Sequence, residues 1–111
     1  MKKLLILVVV LATVVFTANA HPASKVNLTY QDGKLKVEAI HHVSDVTTHY
    51  INQMVVTVDS VVVKTMDFTT QSSPEAQTVE MVIPEIKTGS KVSVKTRCNR
   101  FGKKTGELTV E

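Results

Sequence analysis

The residues of this chain best able to build a reactive centre are His21, His41, His42, His49 and Cys98, which make up all of its histidine and cysteine. Imidazole is the commonest transition-metal ligand and thiolate is a soft, electron-rich donor, so histidines joined by Cys98 describe a redox-metal site. The competing reading has solvated surface histidines and a buried, inert Cys98, and spacing alone does not separate the two. Met54, Met66 and Met81 read as core filler, since their wide spacing makes no M-x-x-M thioether pattern. No Ser-His-Asp or paired-carboxylate arrangement is identifiable from the order of residues.

The elements that must position these side chains are strands. Apolar and polar residues alternate from Val26 to Tyr30 and from Leu35 to Ala39, with Asp32-Gly33 between them as a hairpin turn. Further β-rich runs cover Tyr50 to Val58, Val61 to Thr69, Thr78 to Ile83, Lys91 to Thr96 and Glu107 to Val110. Asp59-Ser60, Ser72-Ser73-Pro74, Pro84, Gly89 and the stretch Gly102 to Gly106 supply turn chemistry between them. No segment keeps a helical period over three turns, and Val and Thr dominate where helix formers are wanted. The pattern predicts an all-β fold, an immunoglobulin-like antiparallel β-sandwich of about seven strands, without the cysteine pair and tryptophan of antibody domains.

Two stretches carry a family likeness. His42-Val43-Ser44-Asp45-Val46-Thr47-Thr48-His49-Tyr50-Ile51 resembles the H-P-M-x-x-x-H-Y-I segment of the superoxide reductases, the desulfoferrodoxin and neelaredoxin family. Cys98-Asn99-Arg100-Phe101-Gly102 resembles that family's C-N-x-H-G, in the same order along the chain. The resemblance implies an iron-binding β-sandwich in which His42 and His49 match paired histidine ligands and Cys98 matches an axial thiolate. It further implies superoxide as substrate, reduced by one electron to peroxide. Phe101 stands where the family has a ligand histidine, and His42 and His49 are one residue further apart than in the family motif. No C-x-x-C pair offers a built-in electron centre, so the electrons for such chemistry would come from a separate donor of unknown identity.

The N-terminus reads as a secretory signal: Met1-Lys2-Lys3, an apolar run from Leu4 to Phe16, then Ala18-Asn19-Ala20. Residues 1–20 are therefore expected to be removed, leaving residues 21–111 as one superoxide reductase-like domain, periplasmic or secreted, with no membrane attachment after cleavage. Cleavage would place a free amine on His21, and that amine with its imidazole can chelate Cu(II), with His41, His42 or His49 completing a histidine brace. Copper is thus the alternative to iron, and a metal-free interaction module is the third possibility. Loss of Lys2 and Lys3 leaves eleven basic against ten acidic side chains, and the whole chain has only two tyrosines and three phenylalanines, one of them in the removed segment, which gives no nucleic-acid surface. The expected ligands are His42, His49 and Cys98, with His21 or His41 as additions.

Overall fold

The computed structural model describes residues 21–111; the expected signal segment, residues 1–20, lies outside the described residues. Seven strands form, β1 (Lys25–Gln31), β2 (Lys34–Ile40), β3 (Ile51–Val58), β4 (Val61–Asp67), β5 (Ala76–Met81), β6 (Lys91–Cys98) and β7 (Lys103–Thr109). They divide into a three-stranded sheet, β1-β2-β5, and a four-stranded sheet, β4-β3-β6-β7, with every pairing antiparallel. The expected seven-stranded all-β sandwich is therefore the observed one. Its fourth strand joins β3, whereas the constant-type immunoglobulin order places the fourth strand beside the fifth.

Strand alternation builds the core. Leu35, Val37 and Ala39 of β2 face Met54, Val56 and Val58 of β3 and Val92 and Val94 of β6, and all are buried. Each such large aliphatic side chain contributes about 1.5–3 kcal/mol by leaving water. Both tight hairpins obey the type I′ requirement for positive φ at two central residues: Asp32 and Gly33 at 55° and 75°, Asp59 and Ser60 at 48° and 70°. At the second, the Asp59 carboxylate accepts from Lys91 N at 2.9 Å and so ties the turn to β6.

One expectation is corrected. The stretch Gly102 to Gly106 reads as a turn, but β7 begins at Lys103 and contains Gly106. The glycine serves a close approach of the two sheets: a Cβ there would stand 2.9 Å from Val26 Cβ of β1.

Candidate metal centre

His41 follows from the period of β2. The inward positions Leu35, Val37 and Ala39 are not interrupted at the strand end, and the next inward position is His41, which is fully buried.

 Ala39, one step earlier, is the last strand residue on that face. His42 falls on the opposite side and is exposed.

His49 owes its orientation to an irregularity in β3. The β3–β6 register pairs Ile51 with Cys98 but Gln53 with Arg97, leaving Asn52 as an extra residue in β3. Such a bulge shifts the side-chain phase, so the buried positions run Ile51, Met54, Val56, Val58, and His49 falls in step with Ile51. The turn before it is held by Asp45: its carbonyl accepts from His49 N at 3.0 Å, and its carboxylate accepts from Thr47 N at 2.9 Å and Thr47 Oγ1 at 2.6 Å. The Thr47 hydroxyl, and then its amide, hold the Asp45 carboxyl below its ordinary pKa.

His21 arrives on the segment preceding β1. Ser24 N donates to Ile40 O at 2.8 Å, which extends the β1–β2 pairing and lays residues 21–24 beside His41. Pro22 then rests on Gly102 in the turn after β6.

The three imidazoles meet at one end of the sandwich. Their ring centroids are 4.9 Å (His21–His41), 5.1 Å (His21–His49) and 4.7 Å (His41–His49) apart, and one ligand nitrogen from each lies within 4.8 Å of the others. Nitrogens bound tetrahedrally to one ion at about 2.0–2.1 Å are about 3.4 Å apart, so a movement of each ring by no more than about 1 Å closes the set on a metal. Three close histidines can therefore hold a metal ion, and neutral imidazoles suit zinc, copper, iron or nickel.

Two polar atoms support the fit. His49 Nε2 is buried without a hydrogen-bond partner, an arrangement that costs stability unless something binds there. His41 Nδ1 lies 2.8 Å from Gln71 Oε1, while its Nε2 lies 3.1 Å from the carbonyl oxygen of His21. Burial, reinforced by the neighbouring His41, Arg100 and His21 charges, lowers the His49 pKa from its ordinary 6.5 and so favours the neutral, ligating form of the ring.

Cys98 occupies the last inward position of β6, buried and unpaired, but its sulfur is not one of the mutually close donor atoms of the trio. It accepts from Arg100 N at 3.4 Å. The turn it begins is strapped to the His49 segment: Asn99 Oδ1 accepts from Tyr50 N at 2.9 Å, Asn99 Nδ2 donates to Thr48 O at 3.1 Å, and Asn99 N donates to Tyr50 O at 2.9 Å. The H-P opening, the H-Y-I segment and the C-N-x-x-G turn thus converge. Phe101, in that turn, is 66 % exposed.

No family model, curated protein or solved structure matches the chain. The fold and the histidine trio consequently stand on the chain's own geometry. Gln71 and Asn52 are the supporting residues that sequence reading did not single out. The apolar spacing Ile51-Met54-Val56-Val58 carried a signal for the bulge; nothing in the type or spacing of Gln71 marked it.

Proposed function

We propose that this chain is an exported metal-binding domain that holds one divalent transition-metal ion through His21, His41 and His49. The observation that carries this reading is the orphaned, buried His49 Nε2 beside two further imidazoles. A cation shared among the three nitrogens satisfies that atom and relieves the opposition between His41 Nε2 and His21 O.

Iron is the metal we propose first, and superoxide the substrate, on the likeness of His49-Tyr50-Ile51 and Cys98-Asn99 to the superoxide reductases. Iron held there would supply one-electron chemistry. The chain's own residues would present neutral nitrogens, and the Asn99 strap would hold the turn that begins at Cys98 against the His49 segment. An electron donor is then required as partner. The proposed location is the periplasm or the extracellular space.

Copper is the second reading, favoured by the membership of His21 in the trio. Signal cleavage before His21 would add its free amine as a fourth nitrogen donor.

Two variants separate the readings. In an iron–thiolate site, Cys98→Ser abolishes a sulfur-to-metal charge-transfer band in the oxidised protein, while one extra residue before His21 leaves it intact. In a copper brace the extra residue weakens binding and Cys98→Ser does not. Parent-like metal binding by both variants rejects both arrangements.

A further inference from the structure

We propose that Gln71 is a positioning residue that fixes His41 in the tautomer with hydrogen on Nδ1, so that Nε2 offers its lone pair to a metal before any metal arrives. The metal half of this statement rests on the reading above; the tautomer half does not.

The donors and acceptors around Gln71 leave one solution. Its side chain is buried, with the amide nitrogen 2.7 Å from His41 O and 2.8 Å from Ser73 O, two groups that can only accept. That atom must be the NH2 group, and both of its hydrogens are used. The other atom lies 3.2 Å from Ile51 N, which can only donate, so it must be the carbonyl oxygen. Both ends of the amide agree on its orientation, which settles an assignment that is otherwise ambiguous.

Oε1 is also 2.8 Å from His41 Nδ1, so Nδ1 is the donor in that contact. A neutral imidazole has one ring hydrogen and both ring nitrogens face an acceptor; the contact to Oε1 is the shorter, 2.8 Å against 3.1 Å to His21 O, so Nδ1 takes the hydrogen. Nε2 is then bare and faces the His21 carbonyl oxygen at 3.1 Å, two lone pairs opposed across a short gap. A cation between such groups is attracted by both. An outer residue that sets the tautomer of a ligand histidine in this way raises metal affinity by preorganisation.

Gln71 also links three of the relevant segments. It bonds to His41, to Ile51 at the start of β3 two residues after His49, and to Ser73 in its own loop. A purely structural brace would make the same contacts, so the test must read the ring itself.

The chain from His21 to Glu111 is prepared metal-free, and long-range nitrogen–proton spectra report the His41 tautomer. Zn(II) affinity is measured separately by competition with a chelating dye. The parent is expected to show His41 as the Nδ1–H form. Gln71→Met, which removes the acceptor, is expected to admit the Nε2–H form bonded to His21 O and to weaken Zn(II) binding by about 10- to 100-fold. Gln71→Glu keeps an acceptor opposite Nδ1 while losing both donated hydrogen bonds; it is expected to lower the melting temperature but retain the Nδ1–H form and Zn(II) affinity within a few-fold. Equal loss of affinity in both variants with the tautomer unchanged would make Gln71 a structural brace only. An Nε2–H form in the parent overturns the proposal even if neither variant folds. Absence of Zn(II) binding by a parent that shows the Nδ1–H form counts against the zinc-binding half and leaves the tautomer assignment standing.

Discussion

Gly102 and Pro22 touch so closely that a Cβ on the glycine would stand 2.8 Å from Pro22 Cδ and 2.9 Å from its Cβ. Through this contact the turn that follows Cys98 supports the segment that delivers His21. Gly102 also has φ at +91°, a conformation that side-chain-bearing residues rarely adopt.

Gly102→Ala is therefore expected to reduce stability by about 1–3 kcal/mol through backbone strain and to displace Pro22. Because His21 moves with Pro22, metal affinity should fall by about tenfold or more although no ligand has been changed. Chemical denaturation and a metal titration check the two effects; a full loss of stability with unchanged affinity would mean that His21 is held by other contacts.

His41→Ala and His42→Ala should differ sharply despite their adjacency. His41 is fully buried and bonded to Gln71, so its removal should abolish tight metal binding and cost about 1–3 kcal/mol in the metal-free protein. His42 is exposed, and His42→Ala should change stability by no more than about 0.5 kcal/mol and leave affinity intact. Titrating both variants with Zn(II) decides the matter, and dependence on His42 would contradict the trio.

Phe101→His puts the donor of the resembled motif back at its position in the turn. Since Phe101 is 66 % exposed, the new imidazole is expected to leave iron affinity within about threefold of the parent. A large gain would mean that the turn from Cys98 to Gly102 rearranges around the metal.

Much of the fold is legible in the sequence because strand alternation is a local signal: Leu35, Val37 and Ala39 declare an inward face without reference to anything distant. The same period, continued by one step, selects His41, whereas motif spacing pointed to His42. His49 was legible through its H-Y-I context, but its inward orientation depends on the bulge at Asn52, set by pairing with β6 some forty-five residues away in sequence. Gly106 reads as a turn residue locally and becomes a strand residue only when β1 is laid across it. Gln71 was illegible for the same reason, since its role exists only after β2, β3 and its own loop have met.

Stability of the metal-free protein should depend on pH through His49. Its pKa in the folded state is below the ordinary 6.5, so between the two values the unfolded chain binds more protons and stability rises with pH. The contribution is fully present above pH 6.5 and is lost as pH falls through the lowered folded value. Melting temperatures from pH 7.5 down to about 5 should fall for the parent and fall less for His49→Gln, where the titrating group is gone. Parallel profiles would assign the dependence elsewhere.

The central claim is that His21, His41 and His49 together hold one metal ion, and thermal unfolding with and without metal tests it most directly. A ligand that binds only the folded chain at one hundred times its dissociation constant adds about 2.7 kcal/mol, which raises the melting temperature of a domain of this size by roughly 10 °C or more. The account predicts such a rise with one equivalent bound for Fe(II), Cu(II) or Zn(II), and its loss in His21→Ala, His41→Ala and His49→Ala alike. An unchanged melting temperature with all three metals would contradict it and leave a metal-free sandwich.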